Sequence, residues 1–180
     1  MKKIIASAAL ALAIGGSGMA AAQDGEDMTI TLVPGLTTDA FYITMNRGAQ
    51  VAADALGITV EFQGAEEFDP VLQTPVLDAV IGRGPDAILV APTDSTQMIE
   101  PLRRASDAGI PVITVDTFID DGKYQDGAGD GDFPFAYIAS DNIGGGRMAA
   151  RAMAEAIGGA GAVYVSNVRP GVSTTDQREE

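Results

Sequence analysis

Residues 87–115 read A-I-L-V-A-P-T-D-S-T-Q-M-I-E-P-L-R-R-A-S-D-A-G-I-P-V-I-T-V, and this stretch decides the fold. An uncharged run at 87–91 precedes a helical stretch at 98–108, and a second apolar run follows at 111–115. Continuous apolar runs of this length are typical of strands buried on both faces. Two such strands joined by a helix predict a parallel pair with a right-handed crossover.

The same alternation extends toward the N-terminus. Strand-like runs at 28–34 and 58–62 flank a helical pattern that begins at Asp39 and ends at Gly57, a residue suited to the left-handed position after a helix. A further helix is predicted over 71–81, its first turn beginning at Pro70 or at Pro75, and Ser95 precedes the helix at 98–108. The sequence therefore predicts an α/β fold with a doubly wound parallel sheet.

The chain changes character after Asp116. Residues 120–132 are polar and rich in glycine, which predicts an irregular loop, and then come a predicted strand at 135–139, a helix at 142–157 and a strand at 162–166. One strand-helix-strand unit cannot cover both faces of its own sheet. We therefore expect a first lobe over 28–116 and the start of a second, truncated lobe over 117–180.

The first 22 residues have the pattern of a secretory signal peptide. Lys2 and Lys3 precede an apolar run, and the segment closes on three alanines ending at Ala22. A membrane anchor is the alternative, but glycine and alanine dominate the second half of the run. We expect cleavage after Ala22, a flexible mature N-terminus over 23–27, and a periplasmic product with no stable membrane insertion. It lacks the cysteine that a lipoprotein needs.

Composition excludes several classes of function. The chain has no His and no Cys, so it has no Ser-His or Cys-His nucleophile pair, no disulfide and none of the common zinc ligand sets. The net charge is −14, or −16 once Lys2 and Lys3 are removed, and such acidity argues against a nucleic-acid partner. We expect a protein that is not an enzyme, although composition alone leaves open a carboxylate pair for glycoside hydrolysis.

Two glycine-rich motifs and one acidic loop are the candidate cofactor or metal sites of the sequence. G-G-G-R at 144–147 lacks the Lys-Ser/Thr of a phosphate loop, and G-A-G-A-V-Y at 159–164 lacks the third glycine of the dinucleotide fingerprint. The loop at 120–132 fails two positions of a calcium-binding loop, so only weak calcium binding stays open there. We expect no cofactor and no metal site.

Polar and aromatic side chains follow the predicted strands. Because the carboxyl ends of parallel strands meet at one edge, where open α/β sheets bind ligands, these side chains should gather there. Aromatic faces beside carboxylates suit the C–H faces and hydroxyls of a sugar ring, while the alternative is that the acids are helix caps. The candidates are Thr37, Thr38, Asp39, Phe41, Tyr42, Gln63, Glu66, Thr93, Asp94 and Asp116.

Several blocks of sequence carry a family resemblance. They are G-L-T-T-D-A-F-Y at 35–42, M-N-R-G-A at 45–49, A-I-L-V-A-P-T-D-S at 87–95, G-I-P-V-I-T-V-D at 109–116 and I-A-S-D-N-I-G-G-G at 138–146. Together they resemble the type I periplasmic sugar-binding proteins of ABC importers, in the branch similar to the ribose-binding protein. The resemblance covers residues 28–180 and implies two α/β lobes joined by a hinge, with the ligand between them.

The resemblance also implies roles for individual residues. Phe41 and Tyr42 would form an aromatic wall, with Asp39 as a polar contact and Asp94 as the carboxylate that grips ring hydroxyls. The remaining positions are Asp116 and Thr117 at the first hinge crossing, Asp141 and Asn142 at the opening of the second lobe's first helix, and Arg178 as a second-lobe contact to ligand oxygens. Two departures bear on ligand identity: Ala40 replaces the usual proline, and Tyr42 replaces a second phenylalanine.

The implied function is capture of a monosaccharide or related polyol by an exported, monomeric protein that delivers it to an ABC permease. The family's chains run well past residue 180, so this chain would be an N-terminal portion whose first lobe lacks its returning segment. A periplasmic ligand sensor that docks on a chemoreceptor or a histidine kinase is the closest alternative. A sugar-responsive repressor would instead begin with a DNA-binding helix-turn-helix.

Overall fold

The computed structural model describes residues 28–122 and 133–180. The predicted signal peptide at 1–22, the mature N-terminus at 23–27 and most of the acidic loop lie outside these residues. The chain forms β1 (Thr29–Val33), α1 (Ala40–Leu56), β2 (Thr59–Phe62), α2 (Pro70–Arg83), β3 (Ala87–Val90), α3 (Ile99–Asp107), β4 (Val112–Val115), β5 (Ala136–Ile138), α4 (Asn142–Ala156) and α5 (Ser173–Arg178).

The five strands form one parallel sheet in the order β2-β1-β3-β4-β5. Two apolar clusters lie on its two faces, one beneath α1 and one beneath α2 and α3. This confirms the predicted doubly wound α/β fold. The strand order reverses between β1 and β3, and such a switch point opens a crevice at the carboxyl ends of the strands.

The helices begin and end where local chemistry dictates. The Asp39 carboxylate accepts the backbone N–H of Phe41 at 2.7 Å, and α1 ends at Gly57, whose φ is 68°. The second helix begins at Pro70 rather than Pro75, because Asp69 accepts a backbone N–H and Pro70 takes the first helical position.

Gln73 fixes the two central strands at their carboxyl ends. Its side chain is fully buried, and its amide nitrogen donates to the carbonyls of Pro34 and Ala91 at 3.1 and 2.8 Å. The amide oxygen accepts both the backbone N–H and the hydroxyl of Thr93, each at 2.9 Å. All four hydrogen-bonding positions of this side chain are therefore used to hold the edge that the crevice opens on.

Strand β5 follows the boundary between the lobes that the sequence predicts at residues 116 and 117. The strand expected to open the second lobe, β5, instead pairs with β4 and extends the first sheet. The edge of β4 would otherwise present unpaired N–H and C=O groups, and β5 satisfies them. The first lobe therefore includes β5, and the part beyond it, residues 139–180, is called the second segment below.

The second segment contains α4 and α5, which pack against each other. Gly144–Gly146 lie in the first turn of α4, as predicted, with the Asp141 carboxylate accepting the backbone N–H of Gly144 at 2.8 Å. The strand predicted at 162–166 does not form, and these residues are exposed. No strand among the described residues lies beside them to complete a ladder, and a lone extended segment is not a strand.

Candidate ligand-binding site

Asp116 lies directly after β4 in a constrained backbone conformation. Its φ is 64°, in the left-handed region that residues other than glycine seldom adopt. Two hydrogen bonds join Asp116 to β5. The backbone N–H of Asp116 donates to the Ile138 carbonyl at 2.9 Å, and the Tyr137 hydroxyl donates to the Asp116 carbonyl at 2.9 Å. The backbone of Asp116 is thus fixed from the neighbouring strand.

One oxygen of the Asp116 carboxylate has a partner and the other does not. The Tyr42 hydroxyl donates to Oδ2 at 2.8 Å, while Oδ1 has no hydrogen-bond partner among the described residues and is not fully buried. Burial raises the pKa of Asp116, and the Tyr42 hydrogen bond and the charge of Arg178 only partly offset that rise. Asp116 therefore offers a partly desolvated, pre-positioned acceptor.

The two residues of the predicted aromatic wall have different roles. Tyr42 is only 4% exposed and packs with Leu32, Ala91 and Val115, so its ring belongs to the core. Phe41 is 51% exposed and meets the Tyr42 ring edge to face, with ring centroids 5.3 Å apart. Only Phe41 presents a ring surface on which a ligand can stack.

Gly35 allows the Tyr42 hydroxyl to reach Asp116. A Cβ at residue 35 would lie 2.7 Å from the Tyr42 hydroxyl and 2.3 Å from the Phe68 ring, closer than van der Waals contact permits. Burial, followed by the charge of Asp116 and its hydrogen bond, raises the pKa of Tyr42. The Tyr42 hydroxyl therefore stays protonated and acts as a donor to Asp116.

Asp39 and Arg178 place opposite charges near the Asp116 carboxylate. Asp39 is exposed, and its charge raises the pKa of Asp116, whereas the charge of Arg178 lowers it. Arg178 is the last residue of α5, and its side chain makes no hydrogen bond or ion pair with any described residue. Its guanidinium is therefore free to bind an oxygen-rich ligand.

Close packing of α4 on α5 sets the position of Arg178. A Cβ at Gly146 would lie 2.3 Å from the backbone oxygen of Arg178, so only glycine allows this approach. Beside it, a cleft of about 500 Å³ opens where β5 leads into α4. Its lining residues are Tyr137, Ile138, Ala139, Ser140, Asp141, Asn142, Ile143 and Gln177.

Among the predicted hinge residues, Asp141 and Asn142 line this cleft, whereas Thr117 lies just after β4. Asp141 caps α4, and Asn142 is buried with its amide donating to the Ser140 carbonyl at 3.2 Å. The Thr117 hydroxyl donates to the Pro92 carbonyl at 2.7 Å and is buried. Thr117 therefore ties the end of β4 to the end of β3.

Asp94, the predicted contact to ligand hydroxyls, is hydrogen-bonded within the protein through both carboxylate oxygens. Its Oδ1 accepts the backbone N–H groups of Thr96 and Gln97 at 3.0 and 2.8 Å, and its Oδ2 accepts the Gln97 side chain at 2.9 Å. Burial favours a higher pKa for Asp94, but these bonds and the charge of Arg169 outweigh it and lower the pKa. Asp94, rather than Ser95, caps the turn that leads into α3.

Asp94 also anchors the second segment to the first sheet. Arg169 Nη2 lies 3.7 Å from Asp94 Oδ2 and donates to the Thr93 carbonyl at 2.8 Å. Gly171 accepts the backbone N–H of Ser95 at 3.0 Å, and the Ser173 hydroxyl accepts the backbone N–H of Phe118 at 3.0 Å. These contacts hold the start of α5 and the residues just before it on the loops that follow β3 and β4.

Sequence reasoning missed Tyr137 and Arg169. Tyr137 alternates with Phe135 in a run read only as a strand, and nothing in its spacing indicated that its hydroxyl would reach Asp116. Arg169 lies before Pro170 and Gly171, and that turn signal marked a loop without indicating its partner. Both residues act across contacts that are distant in the sequence.

The described residues hold neither a metal site nor a membrane span. No three acidic, His or Cys side chains come together among residues 28–122 and 133–180. In the same part of the chain, no helix has the length and apolar content needed to cross a bilayer. Most of the loop at 120–132, where weak calcium binding stays open, lies outside the described residues.

Comparison with known proteins places this chain in a family. The model of the periplasmic binding protein domain matches residues 30–180. The ribose import binding protein RbsB of Haemophilus influenzae is 32% identical over 181 residues, which is all of this chain and 57% of that protein. RbsB of Bacillus subtilis is 30% identical over 153 residues, 85% of this chain and 47% of its own length. The chain thus spans about half the length of these relatives.

Solved structures show the same relationship. An ABC transporter solute-binding protein from Agrobacterium vitis, solved with α-D-tagatopyranose bound, is 68% identical with a TM-score of 0.81, covering 84% of this chain and 51% of that one. One from Actinobacillus succinogenes, solved with D-allose, is 33% identical with a TM-score of 0.70, covering 84% and 52%. These relatives are binding proteins rather than enzymes. The chain belongs to the periplasmic binding protein family, in its sugar-binding, type I branch.

Proposed function

We propose that the full-length protein captures a monosaccharide at the carboxyl edge of the first sheet and delivers it to an ABC permease. One observation carries this proposal: the Asp116 carboxylate keeps one oxygen unpartnered, feels the charge of the unpartnered Arg178, and is bonded by Tyr42, whose ring packs against the exposed ring of Phe41. A sugar ring offers hydroxyl donors to the carboxylate, ring and hydroxyl oxygens to the guanidinium, and a C–H face to the phenyl ring. The site joins the two parts of the chain.

Ligand capture would be coupled to closure of the two parts. Arg169, Gly171 and Ser173 already hold the second segment on the first sheet, which brings α5 and Arg178 toward Asp116. A ligand that contacts both parts binds the closed arrangement more tightly than an open one and so favours it. The permease would then recognise the closed, ligand-bound form.

Two of the solved relatives support a hexose as the ligand. The 68% identical neighbour was solved with α-D-tagatopyranose and the 33% identical one with D-allose, so we place D-tagatose first among candidate ligands. We further propose export by a cleaved signal peptide to the periplasm, as the family's periplasmic members indicate. No covalent step is required, which agrees with a chain that has no His and no Cys.

Calorimetric titration of the full-length protein tests this function. D-Tagatose, D-allose, D-ribose and a series of other pentoses, hexoses and polyols would be titrated in turn. We expect saturable binding of at least one sugar without turnover, and stimulation of the partner permease's ATPase by the filled protein only. Silence across the series, or chemical conversion of any sugar, would defeat the proposal.

A further inference from the structure

Tyr42 holds the Asp116 carboxylate of the proposed site. Its hydroxyl donates to Asp116 Oδ2, and its ring is held by the core on one side and by the close approach of Gly35 on the other. A buried phenol in this position has little freedom to move. The plane of the Asp116 carboxylate is therefore fixed by a residue that presents almost no surface to a ligand.

We propose that Tyr42 is a specificity-determining residue of the sugar site, because its hydroxyl turns Asp116 Oδ2 inward and leaves Oδ1 alone to accept from a single ligand hydroxyl. This inference rests on the proposed function and refines it. A carboxylate free to rotate can accept from two adjacent hydroxyls of a sugar, one on each oxygen. Asp116 has only one accessible oxygen, so it recognises one hydroxyl and tolerates change at the next.

The backbone supports the same restriction. Asp116 is held at a φ of 64° by hydrogen bonds to Ile138 and from Tyr137, so rotation of the carboxylate about its own side-chain bonds is the remaining freedom. The Tyr42 hydrogen bond removes that freedom. Among the described residues, no other side chain donates to the Asp116 carboxylate. Loss of one hydroxyl group therefore frees both carboxylate oxygens.

Loss of this hydroxyl also has an electrostatic consequence. Burial raises the pKa of Asp116, and the bond from Tyr42 opposes that rise, as does the charge of Arg178. Asp39, at the start of α1, acts in the opposite direction, and Tyr137 faces Asp116 from β5. Without the Tyr42 hydroxyl the pKa of Asp116 should rise further, so that the carboxylate takes up a proton at a higher pH.

The comparison of the wild type with Tyr42→Phe makes this consequence measurable. The two proteins differ by one hydroxyl group, and that hydroxyl contacts Asp116. A difference between them in how ligand affinity depends on pH therefore reports on the Asp116 carboxylate, whose pKa is raised. Binding through Oδ1 requires the charged form, so affinity should fall as the pH falls.

The experiment compares the full-length wild type with Tyr42→Phe, using the tightest-binding sugar of the series and its monodeoxy analogues. In the wild type, removal of the sugar hydroxyl that donates a hydrogen bond to Asp116 should weaken binding about 10- to 150-fold, as expected for a charge-assisted hydrogen bond. In Tyr42→Phe, removal of an adjacent hydroxyl should become at least about fivefold more costly than in the wild type, because Oδ2 now accepts from it. The ratio of affinities at pH 7.5 and pH 5 should also increase about three- to tenfold.

Phe41→Leu is the matched control. It removes the neighbouring exposed ring without touching Asp116, so it should weaken binding at every pH and leave both the deoxy profile and the pH ratio as in the wild type. If Tyr42→Phe keeps the wild-type deoxy profile or the wild-type pH ratio, the inference is overturned although the proposed function stands. If the wild type binds no sugar, both are overturned together.

Discussion

Two acid–arginine pairs join the first sheet to the second segment, and they differ in whether the partners touch. After β3, Asp94 lies 3.7 Å from Arg169 and also accepts two backbone N–H groups. After β4, the charge of Arg178 lowers the pKa of Asp116, yet the two side chains form no ion pair in the structure. The first pair is closed, whereas the second pair is open, since its partners do not contact each other.

This difference shows that position at the carboxyl edge does not by itself identify a binding residue. Asp116 lies directly after β4 and Asp94 lies in the loop that follows β3, so both are at the carboxyl edge of the sheet. What separates them is the hydrogen-bonding capacity that remains after folding. Asp94 uses both oxygens within the protein, and Asp116 keeps Oδ1 accessible.

The largest expected effect comes from removing the free cation of the open pair. Arg178→Gln in the full-length protein should weaken sugar binding about 10- to 150-fold, since a charge-assisted hydrogen bond contributes about 1.5–3 kcal/mol. Its thermal stability without ligand should change little, because Arg178 is exposed and bonds to no described residue. Calorimetry and thermal unfolding measure the two quantities.

Arg169→Gln is the matched control in the closed pair. It removes the contacts to Asp94 and to the Thr93 carbonyl, so stability should fall by more than in Arg178→Gln and affinity should fall by less. Equal losses of affinity in the two variants would show that the closed and open pairs do not differ in function.

The second prediction concerns the packing that positions Arg178. Gly146→Ala places a Cβ against the Arg178 backbone oxygen, so α4 and α5 must separate at a cost of about 1–3 kcal/mol in stability, with weaker binding. Gly145→Ala is the matched control, because a Cβ there meets nothing within 4 Å and should stabilise α4 by about 0.5–1 kcal/mol. Denaturant titration distinguishes these opposite signs, and two variants of equal stability would argue against the close approach.

The third prediction tests Asp94 as a cap. Asp94→Ala leaves the N–H groups of Thr96 and Gln97 without their acceptor, and loss of such a cap costs about 0.5–2 kcal/mol in the free energy of unfolding. Asp78→Ala removes an exposed ion pair with Arg104 and should cost at most about 1 kcal/mol. A fall in stability no larger than that of the control would exclude the capping role.

The fourth and smallest effect concerns how the free energy of unfolding depends on pH, for which Asp94 and Asp116 should act in opposite directions. The pKa of Asp94 is lowered, so its contribution to stability is present above the unfolded-state pKa of about 4 and is lost as the pH falls through the folded value. The pKa of Asp116 is raised, so its charged form destabilises the ligand-free protein above the same pH, and that penalty disappears on acidification. Denaturant titration between pH 7 and pH 3 should therefore show opposite changes in slope for Asp94→Asn and Asp116→Asn, and identical changes would contradict the assignment.

The sequence predicted most of the first lobe because its signals are local. Apolar runs identified the strands, and Asp39 and Gly57 marked the ends of α1 in the structure as in the sequence. The sheet that β5 joins depends on which sheet has a strand edge free for pairing, and no short-range sequence pattern indicates that. The run at 162–166 has strand-like residues, yet a strand also needs a neighbour to pair with.

The site was predicted only as a set of candidates at the right edge. The spacing of Phe41 and Tyr42 placed both on the first turn of α1, but which of two adjacent rings enters the core depends on the rotation of the helix against the sheet. The same limit applies to Asp94 and Asp116. Their difference comes from Arg169, Tyr42 and Tyr137, which reach them from distant parts of the chain.

The most direct test of the account compares Asp116→Asn with Asp94→Asn by calorimetric titration of D-tagatose into the full-length protein at pH 7.5. Asparagine preserves an acceptor for Tyr42 in the first variant and a capping oxygen in the second, so both proteins should fold. We expect Asp116→Asn to weaken binding at least about tenfold and Asp94→Asn to stay within about threefold of the wild type. Unchanged affinity in Asp116→Asn together with lost binding in Asp94→Asn would contradict the account.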